Sequence, residues 1–226
     1  MRIFRHFDDV PASLKGSVVA IGNFDGVHLG HQALIEEAHK QARLIGVPVS
    51  VLAFEPHPQE YFRPGPVSIR LTPLRMKARL LAEEGVDAMF ALNFDAGMAW
   101  RTAEQFVREI LKDGLGASGV VVGPDFEFGK GRGGNLKTLR AMGAEQGFFV
   151  TGFDMVRSGA EKISSTRIRD LLAAARPEEA ARLLGRFWAV EARVEHGDKR
   201  GRTMGFPTAN MHLGHCFQPA FGVYAV

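Results

Sequence analysis

The chain has 226 residues, of which 46% are hydrophobic and 23% charged, the composition of an ordinary folded protein. Its 28 Lys and Arg against 25 Asp and Glu give a net charge of +3 without a basic run, so we expect no nucleic-acid partner. No apolar run approaches the roughly 18 residues of a membrane helix, and residues 1–10 lack the apolar stretch of a secretory signal. One cysteine, Cys216, excludes an internal disulfide or a cysteine zinc site, so we expect a cytoplasmic protein without a membrane partner.

Residues 1–184 alternate between short apolar runs, typical of buried strands, and helical patterns. The predicted strands are 17–22, 47–54, 88–94, 119–122 and 148–151. The predicted helices are 31–45, 73–84, 102–112 with a Thr102–Gln105 capping box, and 135–146. Continuous apolar strands between helices predict an α/β fold with a parallel sheet covered by helices on both faces.

The pattern changes near Gly185. Residues 187–195 alternate between apolar and polar side chains, which predicts a half-exposed antiparallel strand, and residues 221–226 predict another. A β-type stretch of this length is too short for a stable domain by itself. We therefore predict one domain over 1–184 and, over 185–226, the incomplete start of a second.

The strongest motif is GNFDGVHLGH at residues 22–31, where the first strand ends and the first helix begins. Ligands of open parallel sheets bind at this edge, and the helix start offers free N–H groups and the positive end of its dipole to a phosphate. Gly22, Gly26 and Gly30 would let the backbone approach a phosphate, and His28 and His31 could donate hydrogen bonds to it. The alternative is a tight turn with two surface histidines, but the His-X-Gly-His spacing favours a site.

Four further stretches carry weaker patterns, each with a plain structural alternative. Residues 121–135 are glycine-rich and could be only a flexible loop with core phenylalanines. Ser164 or Ser165 is a good N-cap and could simply start a helix. The FEPHP stretch at residues 54–58 ends the second strand and could be an ordinary loop, as could the glycine-rich turn at 197–210.

The motif at residues 22–31 resembles the signature of the HxGH nucleotidyltransferases, and in detail that of the bacterial bifunctional riboflavin kinase/FAD synthetase family. The family's Phe-X-Pro-His-Pro, Gly-X-Asp-Phe-X-Phe-Gly, Ile-Ser-Ser-Thr-X-X-Arg and Gly-Phe-Pro-Thr-Ala-Asn patterns are matched at residues 54–58, 123–129, 163–169 and 205–210. The resemblance implies a Rossmann-like nucleotidyltransferase domain with a parallel sheet. It also implies that a partial riboflavin-kinase β-barrel follows.

The resemblance also assigns site residues. The implied catalytic residues are His28, His31 and Arg169. The implied ATP- and phosphate-binding residues are Gly22, Asn23, Phe24, Gly30, Ser164, Ser165 and Thr166. The implied flavin cleft contains His57, Asp125, Phe126, Phe128 and Arg132. Thr208 and Asn210 would hold Mg-ATP in the kinase domain, and would be metal sites only if that domain is complete.

The implied reaction is adenylyl transfer from ATP to FMN, giving FAD and pyrophosphate, with Mg²⁺ bridging the phosphates. Riboflavin would be the substrate of the kinase domain. In the family that domain continues well past Val226 and supplies its base after the Thr208–Asn210 segment, so we expect no riboflavin phosphorylation by this chain. Two alternatives stay open: an HxGH adenylyltransferase with another phosphate acceptor, and a flavin- or nucleotide-binding module without catalysis.

Overall fold

The protein is described by a computed structural model that covers residues 1–63, 68–154, 156–158, 161–196, 205 and 209–224. Its centre is a six-stranded sheet in which each pair of neighbouring strands is parallel. The strands are β1 (Arg2–Phe4), β2 (Val18–Ile21), β3 (Val49–Glu55), β4 (Ala88–Asn93), β5 (Gly119–Val122) and β6 (Phe149–Gly152). Their order across the sheet is β1-β4-β3-β2-β5-β6. The α/β fold with a parallel sheet is therefore confirmed.

Eight α-helices lie in the described residues. They are α1 (Leu29–Ile45), α2 (Pro58–Phe62), α3 (Leu74–Glu83), α4 (Ala96–Trp100), α5 (Ala103–Gln105), α6 (Leu136–Gln146), α7 (Ser165–Ala173) and α8 (Pro177–Leu184). The predicted capping box forms between Thr102 and Gln105, but the helix it starts continues as a π-helix over Phe106–Gly114. A single-turn Lys130–Arg132 3₁₀ helix lies in the glycine-rich loop.

The five predicted strands are present within two residues of their expected bounds, whereas β1 was not predicted. Its three residues are too few to show a pattern of apolar and polar side chains. It is a strand because it pairs with β4 at the edge of the sheet, with Arg2 opposite Ala88. Alternate strand residues pack on opposite faces. Val19 and Ile21 join the core under the π-helix and α6, whereas Val18 and Ala20 join the core under α1 and α3. Helices thus cover both faces, as predicted.

The C-terminal stretch departs from its prediction. The strands described after residue 185 are Val194–Glu195 and Asn210–Met211, which pair antiparallel. Neither 187–193 nor 221–224 forms a strand, and 225–226 lie outside the described residues. Side chains of residues 187–193 alternate between exposed and half-buried, as the sequence pattern predicts, but these residues pair with no strand among the described residues. A two-stranded ribbon of this length is marginal. The partial barrel stays a prediction.

A third small core joins this stretch to the rest of the molecule. The side chains of α7 and α8 bury Leu71, and Trp188 and Phe217 pack against the same cluster. The Trp188 Nε1–H donates to the carbonyl of Leu71 at 3.0 Å, and the Phe217 amide donates to the carbonyl of Arg70 at 2.7 Å. These contacts hold the C-terminal stretch on the loop before α3.

Candidate active site

The strand order places a crevice at one position along the sheet edge. From β2 the chain moves outward through β3 and β4, and then returns to place β5 on the other side of β2. Ligands of open α/β sheets bind outside the carboxyl ends of the strands at such a switch point. A cavity of about 390 Å³ lies there, with Gly22 after β2 and Gly123 after β5 in its wall.

The turn between β2 and α1 has a strained backbone. Phe24 and Val27 both have positive φ values, +49° and +40°, which residues other than glycine rarely adopt. Their side chains are fully buried, so packing holds the backbone in this form. Such strain persists where the surrounding structure over-determines it, and it is concentrated at functional sites.

Gly30 lets the first histidine of the motif pack over the helix start. A Cβ atom at residue 30 would lie 3.1 Å from the Nδ1 and Cε1 atoms of His28. The His28 side chain is the N-cap of α1, and its Nδ1 accepts a hydrogen bond from the His31 amide at 3.3 Å. The glycine therefore makes room for the histidine ring as well as for a ligand.

The two imidazoles of the motif are stacked and neutral at pH 7. Their ring centroids are 3.6 Å apart and their planes differ by 15°. Burial lowers the pKa of His28 to about 4, with Asp25 opposing and Arg186 adding to that shift. Burial also lowers the pKa of His31 well below 6.5, and the neighbouring His28 and Lys77 lower it further. Neutral rings give each histidine one N–H donor and one acceptor.

The cap fixes the tautomer of His28. Since its Nδ1 accepts the His31 amide, its proton sits on Nε2, and this atom is the available donor. The His31 Nδ1 is buried and has no hydrogen-bond partner among the described residues. Both rings line the cavity. The pair can therefore offer hydrogen bonds to phosphate oxygens there.

A second helix N-terminus borders the same cavity. Ser164 is the N-cap of α7, and its hydroxyl accepts the Arg167 amide at 3.2 Å, which settles the choice between Ser164 and Ser165. The Ser165 hydroxyl instead donates to the backbone carbonyl of Asp25 at 2.8 Å. Thr166 is exposed and lines the cavity. The two motifs are thus in direct contact, and two positive helix ends border one cavity.

Arg169 points from α7 into the same region. Its Nη2 donates to the Asp25 carboxylate at 2.6 Å and its Nε donates to the Ile69 carbonyl at 2.6 Å. The Arg169 side chain is 14% exposed and forms part of the cavity wall. A guanidinium held on two sides in this way presents its remaining N–H groups in a fixed direction.

Most of the residues predicted for the site lie together. Those that line the cavity are Gly22, Asn23, His28, Gly30, His31, His57, Asp125, Phe126, Ser164, Ser165, Thr166 and Arg169. At the mouth, the Lys162 ammonium pairs with the Asp125 carboxylate at 2.6 Å. His57 is buried and caps α2, and burial lowers its pKa to about 4.

Four residues predicted for the sites do not line this cavity, and a fifth lies outside the described residues. Phe24 is fully buried in the core, and its ring contacts His31 from behind. Phe128 stacks on Phe126 but packs into the core, where the short antiparallel pair of Glu127–Phe128 with Gly134–Asn135 holds its backbone. Arg132 is exposed and pairs with Glu127, and Asn210 is exposed in the C-terminal ribbon. Thr208 lies outside the described residues.

Several residues near the cavity were not predicted. Lys77 is 4% exposed and its Nζ donates to the Asn23 carbonyl at 2.8 Å; its position on the apolar face of α3 could have signalled it. Asp25 is 2% exposed, and no role was predicted for this residue of the motif. Phe153 and Asp154 line the cavity because they follow β6, the strand beside β5. Parallel strand ends share one edge, so this pair could have been found from the strand pattern.

The fold and the cavity define an α/β protein with a crevice at the carboxyl ends of its parallel strands, bordered by two helix N-termini. The family model described as FAD synthetase matches residues 10–167, and the one described as riboflavin kinase matches residues 184–226. The chain therefore belongs to the bifunctional riboflavin kinase/FMN adenylyltransferase family.

Curated relatives carry that family name. The protein of Escherichia coli K12 is 44% identical over 95% of this chain and 69% of its own length. Those of Pseudomonas fluorescens and Haemophilus influenzae are 41% and 39% identical over the whole chain, and over 72% and 73% of their own lengths. The chain therefore spans about seven tenths of these relatives.

A solved structure supports the fold. A crystal structure described as a macrolide-efflux protein from Streptococcus pneumoniae is 32% identical, with a TM-score of 0.86 over 98% of this chain and 72% of the other. Among the described residues of the present chain, no helix has the length and apolar character that crossing a membrane requires.

Proposed function

We propose that this chain is an FMN adenylyltransferase, which transfers AMP from ATP to FMN and releases pyrophosphate. One observation carries the proposal: the N-termini of α1 and α7 border one cavity, whose wall includes two neutral histidines and Arg169. This arrangement suits several phosphate groups in a row. The family membership supports FMN as the acceptor.

The chemistry is a single displacement at phosphorus. A phosphate oxygen of FMN forms a bond to the α-phosphorus of ATP while the bond to the β-phosphate bridging oxygen breaks, and pyrophosphate leaves with that electron pair. Such a step depends on positioning and charge stabilisation, without a covalent enzyme intermediate. The N–H groups of His28 and His31 would stabilise charge on the α-phosphate. Asn23 lines the cavity beside them.

The second motif binds the leaving group in this proposal. Ser164, Thr166 and Arg169 line the cavity at the start of α7, where backbone N–H groups and the helix dipole favour anions. Arg169 would neutralise charge that develops on pyrophosphate. Bidentate contacts between a guanidinium and phosphate oxygens are charge-assisted and stronger than neutral hydrogen bonds.

The flavin would occupy the part of the cavity at the carboxyl ends of β3 and β5. His57, Asp125 and Phe126 line it there, and Phe153 adds a second aromatic ring. Residues 185–226 would belong to the riboflavin kinase domain, with Asn210 and Thr208 in its Mg-ATP site. The end of α8 at Leu184, followed by a left-handed Gly185, supports the boundary there.

Mg²⁺ would enter with ATP. Among the described residues there is no group of three or more His, Cys, Asp or Glu that could hold a metal, and the cavity offers isolated oxygen donors such as Asn23 and Asp125. This donor set fits a cation that keeps its waters and binds mainly through substrate phosphates. When bound, Mg²⁺ would neutralise phosphate charge. The single cysteine, Cys216, supports a reducing, cytoplasmic setting.

The test is incubation of the purified chain with ATP, Mg²⁺ and FMN, with flavins separated by chromatography. We expect FAD and pyrophosphate in equal amounts. Parallel reactions with other phosphate acceptors test whether FMN is the preferred one. Faster turnover of another acceptor would overturn the assignment of FMN, and binding without any turnover would show a module without catalysis.

A further inference from the structure

Asp25 belongs to the first motif, residues 22–31, and contacts the second motif, residues 163–169. Its backbone carbonyl accepts the Ser165 hydroxyl at 2.8 Å, and its carboxylate accepts Arg169 Nη2 at 2.6 Å. The residue belongs to the turn before α1, whereas Ser165 and Arg169 are on α7. One buried residue thus connects the turn of the first motif to the helix of the second.

The same carboxylate binds the loop before α3. It accepts the backbone amides of Leu71 at 2.9 Å and Thr72 at 3.1 Å. The Thr72 hydroxyl in turn accepts the amide of Gly26 at 3.0 Å. The Asp25 side chain is 3% exposed, so these contacts replace water around the carboxylate. A buried carboxylate needs such partners, because an unpaired one is costly to bury.

The loop also supplies the second contact to the arginine. Arg169 Nε donates to the carbonyl of Ile69, two residues before Leu71. Asp25 therefore holds the guanidinium directly, and it also holds the loop whose carbonyl accepts the other side of that guanidinium. This leaves few orientations for the planar group. Arg169 lines the cavity, so a guanidinium fixed in this way is available to a ligand there.

We infer that Asp25 is a positioning residue, which orients Arg169 for the triphosphate of ATP without touching the substrate itself. The inference rests on the proposed adenylyl transfer, since it concerns the binding of ATP in that site. A positioned guanidinium binds phosphate with less loss of side-chain freedom than a mobile one. Removal of the carboxylate charge should therefore weaken ATP binding selectively.

The test is a double-mutant cycle on ATP affinity, measured by calorimetry and as KM. Asp25→Asn keeps the size of the side chain and an acceptor for the two amides. We expect it to weaken ATP binding about tenfold, the order expected when one charge-assisted contact is disturbed. FMN affinity, followed by flavin fluorescence, should change less than about twofold. In the Arg169→Ala background, Asp25→Asn should change ATP affinity less than about twofold, because the two residues act as one unit.

The control is Asp87→Asn. Asp87 also accepts a backbone amide, from Val49 at 2.9 Å, but it lies at the opposite end of β3 and should leave ATP affinity unchanged. If Asp25→Asn does not fold, Asp25→Ser keeps a smaller acceptor and takes its place in the cycle. Additive losses in the cycle, tighter ATP binding by the Asp25 variant, or equal losses for ATP and FMN would overturn the inference. Failure of wild-type protein to make FAD would instead overturn the proposed function, since ATP affinity can be measured without turnover.

Discussion

The ring centroids of His28 and His31 are 3.6 Å apart and the two side chains are largely buried. Protonating either imidazole would place a positive charge in a poorly hydrated position next to the other ring. Burial therefore keeps both rings neutral, and the amide of His31 orients the first. A negatively charged triphosphate would meet fixed N–H donors there rather than mobile cations. Preorganised donors of this kind contribute most where charge develops in a transition state.

Replacement of either histidine should therefore reduce adenylyl transfer by at least about a hundredfold, the loss that follows removal of one oriented donor. His28→Asn is the sharper variant, since its side-chain oxygen can keep the N-cap of α1 while the donor position changes. His31→Ala removes the second ring. FAD formation at saturating ATP and FMN measures the effect, and circular dichroism checks the fold. Wild-type turnover in both folded variants would contradict these roles.

The free energy of unfolding should depend on pH, because buried histidines resist protonation in the folded protein. Burial lowers the pKa of His28 and of His57 to about 4, below the 6.5 expected when unfolded. As the pH falls from about 6.5 towards 4, the unfolded chain binds protons that the folded chain excludes. The free energy of unfolding should then fall by about 1.4 kcal/mol per pH unit for each such histidine, with little further loss from them below about 4.

His57→Asn tests this dependence. An Asn oxygen can replace the His57 Nδ1 that accepts the Gln59 amide at 3.1 Å, so the cap of α2 is kept while the titrating group is lost. Urea unfolding at pH 7, 6 and 5 should show a shallower fall in stability for the variant than for wild type. Identical pH dependence of the two proteins would show that His57 is not the source of that part of the fall.

Among the structural elements, α1 and α7 bring their N-termini to one cavity although they are more than 100 residues apart in the chain. α1 follows β2 at the switch point, whereas α7 comes after β6, the strand beside β5, so both helices begin near the carboxyl edge of the sheet. The hydrogen bond from Ser165 to the Asp25 carbonyl joins the two helix starts directly. Anions at this point interact with both helix dipoles.

Arg169→Ala should weaken ATP use far more than FMN binding. The guanidinium lines the cavity at the start of α7, beside Ser164 and Thr166, so its loss removes a charge-assisted contact from the triphosphate side. Arg169→Lys should restore the function only in part, because an ammonium cannot reproduce a planar bidentate contact.

The matched control for Arg169→Ala is Arg43→Ala. Arg43 is exposed on α1 and pairs with Glu36, so its loss should leave KM for ATP unchanged. Steady-state kinetics with ATP varied, and flavin fluorescence with FMN varied, give the two affinities. Unchanged ATP affinity together with lost FMN binding in Arg169→Ala would overturn this role for Arg169.

The sequence predicted the central elements because each strand is an apolar run between helical patterns. Most cavity residues were predicted from the motifs that resemble the family's. Phe24 and Phe128 are buried in the core, since a motif position does not show whether a side chain points to a ligand or to the core, and their binding roles stay predictions. No role was predicted for Asp25 and Lys77, whose importance depends on partners 46 and 54 residues away. The sequence predicted C-terminal strands over 187–195 and 221–226, of which only Val194–Glu195 pairs as a strand among the described residues.

At the scale of the whole molecule, the burial of side chains differs sharply between the sheet and the C-terminal stretch. The residues of β2 and β5 are fully buried or nearly so, whereas Phe187, Val194 and Phe221 are 61% exposed or more. Within the described part, few backbone hydrogen bonds tie residues 187–196 and 209–224 to the rest. Local stability should follow this difference, because opening a segment is easiest where few apolar contacts are lost.

Native-state hydrogen exchange should therefore separate the two parts. We expect amides of residues 187–196 to exchange at least about a thousandfold faster than those of β2 and β5, which open only on global unfolding. Mass spectrometry of peptic fragments gives both rates in one experiment. Equal protection of the two regions would contradict the weak attachment of the C-terminal stretch.

That residues 1–226 do not phosphorylate riboflavin stays a prediction.

Isotope transfer is the most direct measurement of the central claim, that a cavity between two helix N-termini transfers AMP to FMN. ATP labelled with ³²P in the α-phosphate, and separately in the γ-phosphate, is incubated with the chain, Mg²⁺ and FMN. The proposed displacement predicts that the α-label appears in FAD and the γ-label in pyrophosphate, and that His28→Asn abolishes most of both transfers. The γ-label in a flavin product, or the α-label retained in ADP, would show a different reaction and contradict the claim.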